Sequence, residues 1–112
     1  MNRRLAHGLL TKEGHYVTLA DNGAQALSQL RQGRYDVVLM DVEMPIMNGL
    51  AATAALRRHE RKMGRYTPVI ALTSNTNREE CLAAGMDAFL SKPLTIGAFR
   101  NVLADVMRDS AA

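Results

Sequence analysis

The chain has 112 residues, the length of one domain. Its 47% hydrophobic and 22% charged residues exclude a disordered chain; no apolar run nears the roughly 20 residues a bilayer span needs, and the opening 1–7 lacks the apolar stretch of a signal peptide. With 14 basic against 11 acidic residues the net charge is only +3, and the single cysteine, Cys81, excludes an internal disulfide framework and suits a reducing compartment, the cytoplasm.

Leu5 and Leu9, and Ala6 and Leu10, stand at i, i+4 spacing and predict a helix over 2–13, stopped at Gly14. Residues 16–20 are β-rich and predict a short strand. Asp21-Asn22-Gly23 is turn chemistry that can cap a helix over roughly 23–32, with Ala24, Leu27 and Leu30 inward and an end near Gly33. Within 36–40, Val37, Val38 and Leu39 follow one another, the pattern of a strand buried on both faces of a parallel sheet. Pro45 and Gly49 punctuate a loop over 41–49. An Ala-rich helix follows over 49–63 and ends at Gly64, then a buried strand over 68–73. Thr76 and Glu79 have capping-box spacing and open a helix that ends near Gly85. Residues 88–91 predict a strand, and Thr95 can cap a last helix with Ile96, Phe99, Leu103 and Val106 on its inner face, frayed over 109–112. This alternation predicts a parallel sheet with helices on both faces.

Arg57, Arg58, Arg61, Lys62 and Arg65 form the one basic cluster, at the end of a predicted helix, where cations complement the macrodipole. A solvated helix end is the expectation. Of three tyrosines and two phenylalanines only Tyr66 adjoins the cluster, so nucleic-acid binding is not expected. His7, His15 and His59 show no metal-ligand spacing.

Ligands of open α/β sheets bind beyond the carboxyl ends of the strands. Asp41, Thr73, Ser74 and Lys92 stand at those ends. A carboxylate can hold a phosphoryl group as an acyl phosphate, an ammonium can neutralise its oxygens, and a hydroxyl can donate to another oxygen. The stretches DVVLMDVEMPIMNG (36–49), ALTS (71–74) and AGMDAFLSKP (84–93) strongly resemble the receiver domain of two-component response regulators, over nearly the whole chain. The texture around Cys81 resembles receivers attached to hybrid histidine kinases.

The resemblance implies a flavodoxin-like (βα)5 receiver fold, a three-layer α/β/α parallel sheet in 2-1-3-4-5 order. It implies Asp41 as phosphoacceptor, Thr73 as the hydroxyl that moves toward the phosphoryl group, Lys92 as the contacting ammonium and Phe89 as the aromatic that switches with it. Magnesium is the implied cofactor, with Asp41 and the main-chain carbonyl of Glu43 among its ligands, and a cis peptide is implied before Pro93. A histidine kinase or histidine phosphotransfer domain is the implied partner, and the function is that of a phosphorelay acceptor rather than an enzyme. Receivers begin with an apolar strand ending in two acidic residues that hold the metal, and Met1 aligns just after that pair. The domain is therefore expected to fill 1–112 as an N-terminally truncated receiver, without its first strand. That strand's absence leaves a gap of about 9–10 Å in the sheet: either the sequence is a truncated piece or starts at a miscalled position, or a second copy in a homodimer or a strand-supplying partner fills the gap. Without the acidic pair, a phosphorylation-deficient interaction module is the alternative.

Overall fold

The computed structural model describes residues 8, 10–12, 14, 22–33, 35–42, 47–74 and 78–111. Its elements are α1 (Gly23–Gln32), β1 (Val38–Asp41), α2 (Gly49–Met63), β2 (Val69–Thr73), α3 (Arg78–Ala84), β3 (Ala88–Ser91) and α4 (Ile96–Ala111). Residues 8 and 10–12 are also helical, inside the predicted 2–13 helix. The predicted strand over 16–20 lies outside the described residues, as do Asp21, Glu43, Pro45 and Thr76.

Side-chain caps set the helix starts. The side chain of Asn22 accepts from Gln25 N at 2.9 Å, and that of Asn48 accepts from Ala51 N at 2.9 Å. Thr95 Oγ1 accepts from Ala98 N at 3.4 Å and opens α4 as expected. Gly64 ends α2 at φ 67°, a left-handed position that costs glycine nothing.

The three strands are parallel and ordered β1-β2-β3, adjacent in chain order as the last three strands of a 2-1-3-4-5 sheet are. Asp41 pairs with Leu72, and Thr73 with Ser91, so all three carboxyl ends reach one edge. Every residue of β2 is buried. Its side chains alternate between two cores. Val69 and Ala71 meet Leu27, Ala52, Leu56 and Cys81 on the inner faces of α1 to α3, together with Met40 of β1 and Met86 after α3. Ile70 and Leu72 meet Leu10, Leu90, Phe99 and Val106, where α4 and the amino-terminal helical residues pack. The sheet thus lies between two helical layers, the flavodoxin-like arrangement.

Three expectations are corrected. β1 begins at Val38, not at 36, because pairing starts where Val38 N donates to Pro68 O at 2.9 Å, and it extends through Asp41. Ala24 faces outward; Gly23 and Leu27, one turn apart, carry the buried stripe of α1 with Ala26 and Leu30 at its margins. The last helix continues to Ala111.

Candidate functional site

The predicted residues of the carboxyl edge come together. Asp41 closes β1 and is 8% exposed. Lys92 follows β3, and its Nζ lies 2.7 Å from Asp41 Oδ1. Both side chains are largely withdrawn from water, so the pair is held in a medium that screens it little. Thr73 closes β2 between them and is 3% exposed. Ser74, next in the chain, is exposed.

Backbone hydrogen bonds fix these positions. The ladder runs one residue past each strand end: Val42 N donates to Leu72 O and Lys92 N to Thr73 O, both at 2.9 Å. Gly49 N donates to Val42 O at 3.1 Å, folding the start of α2 onto the end of β1. A Cβ at Gly49 would lie 2.5 Å from Asp41 O, so only glycine permits this approach. Gly23 N donates to Met47 O at 2.8 Å, tying α1 to the loop that follows the carboxylate. The peptide bond between Lys92 and Pro93 is cis, as expected. Phe89 is half-buried against the core beneath α1 to α3. Glu43 lies outside the described residues, among which no group of three or more His, Cys, Asp or Glu side chains is placed to hold a metal ion.

The basic cluster divides. Arg58, Arg61 and Lys62 are exposed, as a solvated helix end requires. Arg57 is not: it is 8% exposed and joins α2 to the amino-terminal ends of β2 and β3. Its Nε donates to Gly85 O at 2.9 Å and one terminal nitrogen to Thr67 O at 2.8 Å and Glu60 Oε1 at 2.6 Å. The other donates to Asp87 Oδ2 at 2.9 Å, which also accepts from Val69 N at 2.8 Å. The guanidinium lies 4.1 Å over the Tyr66 ring, whose hydroxyl donates to Asp87 Oδ1. Glu60, at i+3 from Arg57, was a local signal for this pairing; Asp87, thirty residues on, was not.

A sequence model of the response regulator receiver domain matches residues 1–104. The chain is 38% identical over 109 residues to the sensor histidine kinase AruS of Pseudomonas aeruginosa, covering 95% of this chain and 11% of that protein. It is 39% identical over 107 residues to the sensor histidine kinase RcsC of Salmonella typhi, covering 93% of this chain and again 11% of the relative. Among solved structures, the receiver domain of the sensor histidine kinase PA1611 from Pseudomonas aeruginosa, with magnesium coordinated in its active-site cleft, is similar at TM-score 0.83 and 37% identity, over 94% of this chain and 87% of that one.

Proposed function

The chain belongs to the response regulator receiver domain family, and on that premise we propose that it accepts a phosphoryl group from a phosphohistidine onto Asp41. The observation that carries this reading is the Asp41–Lys92 pair, 2.7 Å apart, beside Thr73 at the carboxyl edge of the sheet. A carboxylate oxygen of Asp41 attacks phosphorus as the bond to the histidine nitrogen breaks. The phosphoryl group leaves the imidazole and becomes an aspartyl phosphate.

Lys92 orients Asp41 before transfer and neutralises phosphoryl oxygens after it. An ammonium suits this role, being a compact charge with three rotatable donors. The Thr73 hydroxyl donates to a further phosphoryl oxygen. Its movement, with that of Phe89, biases two arrangements of the domain, and partners read the difference.

Magnesium is the family's ion and is bound in the PA1611 receiver domain. It supplies counter-charge to the phosphoryl oxygens. In this chain the described residues contribute Asp41 without a cluster of further acidic ligands, too few donors for a dedicated site.

The domain's partner is a histidine kinase or a histidine phosphotransfer domain. In a hybrid kinase both kinase and receiver lie on one polypeptide, with the receiver on the cytoplasmic side. No helix among the described residues is long and apolar enough to cross a membrane.

Intact mass after incubation with magnesium and a small-molecule phosphodonor tests the reading. The chain is expected to gain one phosphoryl unit, and Asp41→Asn none. Labelling that persists in Asp41→Asn would place the acceptor elsewhere. No gain in the unaltered chain would leave it a receiver-like interaction module.

A further inference from the structure

A second concave feature lies away from the phosphoacceptor crevice, on the outer surface where α1 meets α2. It is a groove of about 450 Å³ lined by Arg31 of α1 and by Ala55, Arg58, His59, Arg61 and Lys62 of α2. Arg31, Arg58, Arg61 and Lys62 are all exposed, and none has an ion-pair partner among the described residues. The carboxyl-terminal halves of both helices carry these cations. In a parallel α/β layer that end lies over the amino edge of the sheet, opposite Asp41 and Lys92.

Helix dipoles account for part of the arrangement. Each helix carboxyl end carries about −0.5 of a charge, so two of them offset about one cation of the four and leave about +3 facing the groove. His59 lines the same groove, and its Nε2 is enclosed with no hydrogen-bond partner among the described residues.

We propose that this groove binds a small, multiply charged phosphate anion of the polyphosphate class. Three guanidinium groups offer planar forks that match phosphate oxygens in pairs, and one ammonium adds a point charge. The volume is that of a small-molecule pocket, about 300–1,000 Å³, rather than of a protein-sized footprint. No phenylalanine, tyrosine or tryptophan lines it, which disfavours a single-stranded nucleic acid stacking successive bases there. Inorganic polyphosphate and the triphosphate tail of a nucleotide share the recognised chemistry.

The test is calorimetric titration of the full chain, free of magnesium, with tripolyphosphate and separately with ATP. Saturable binding of tripolyphosphate is expected, weakened at least about tenfold from about 20 mM to about 200 mM NaCl as screening shortens the reach of the charges. Equal affinity for both probes supports recognition of the phosphate chain alone; tighter ATP binding supports a nucleotide as the source. Arg58→Gln with Arg61→Gln should weaken binding at least about tenfold without lowering thermal stability, since both side chains are exposed. Arg58→Lys with Arg61→Lys should retain most of it. Lys92→Gln should leave it unchanged; loss in that variant would move the anion to the phosphoacceptor crevice and overturn the proposal. So would the absence of saturable binding at low salt, or binding of heparin or DNA without tripolyphosphate.

Discussion

Arg57 shows how differently two neighbouring cations can be used. Arg58 meets solvent, whereas Arg57 places its guanidinium among Glu60, Asp87, Thr67 O and Gly85 O, with Tyr66 stacked beneath. Removing one member of such a buried network strands the others, at a cost of about 3–5 kcal/mol. Arg57→Ala should therefore lower stability by about that amount in a denaturant titration, while Arg58→Ala should change it by less than about 0.5 kcal/mol. Arg57→Lys should recover little, because an ammonium cannot reproduce the fork. Locally only Glu60, at i+3 from Arg57, separates the two arginines; the other partners that enclose Arg57 stand outside α2. The same network governs Tyr66, whose phenol is pushed up to about 12 by burial first and then by its hydrogen bond to Asp87, against the pull of Arg57. A phenol titrates near 10 in the unfolded chain. The protonated hydroxyl is the form that donates to Asp87, so its contribution to stability is complete below about pH 10 and lost as pH rises from about 10 toward 12. Tyrosinate absorbance should show a late-titrating step that is absent in Tyr66→Phe. A late step surviving in that variant would assign it to another tyrosine.

At the scale of elements, the carboxyl edge was legible because a strand-end rule needs only the strand positions. The expected ranges of α1, α2 and β3 agree with those found, and placing those strands brought Asp41, Thr73 and Lys92 to one edge. The start of β1 was less legible: an apolar Val37 reads as strand, but the partner carbonyl at Pro68 decides where pairing begins. Ala24 was misplaced for a related reason, as the stripe of α1 is centred on Leu27 and reaches its buried start at Gly23. What hid most completely was the close packing of glycine backbone. Gly49 read as punctuation, yet its lack of a side chain lets α2 begin against Asp41 O. Gly49→Ala forces overpacking there, expected to cost about 1–3 kcal/mol. Because the displaced backbone is that of Asp41, phosphoryl uptake should slow as well. Asn48→Ala removes only the cap of the same helix, at about 1 kcal/mol, and should leave uptake per folded molecule unchanged. Measuring stability and phosphorylation in both variants separates the two effects; equal uptake rates in Gly49→Ala and the unaltered chain would refute a positioning role for that contact.

The whole molecule is a layered structure whose middle is secured unequally. β2 is paired on both sides and buried along its full length, whereas β1, among the described residues, pairs with β2 alone. Val38 and Leu39 are only half-buried, in keeping with a strand whose second edge has no described neighbour. Such an edge presents a row of backbone donors and acceptors, and it borders Asp41, the proposed phosphoacceptor. A strand added ahead of Met1, with about five apolar residues ending in Asp-Asp, would contribute about 1.5–3 kcal/mol per buried side chain and cost about 1–2 kcal/mol per ordered residue. These two terms nearly cancel, and the backbone hydrogen bonds gained along the edge of β1 tip the balance toward added stability. Its two carboxylates would join Asp41 as oxygen donors, the set a hard cation prefers. The extended chain should melt at a higher temperature and bind magnesium more tightly by calorimetry. A matched extension ending in Asn-Asn should keep the gain in melting temperature and lose that in magnesium affinity, because the strand's burial is unchanged while its charge is gone. An unchanged melting temperature in both extensions would mean that the edge of β1 is already covered by another segment or by a second copy of the chain, and sedimentation would decide which.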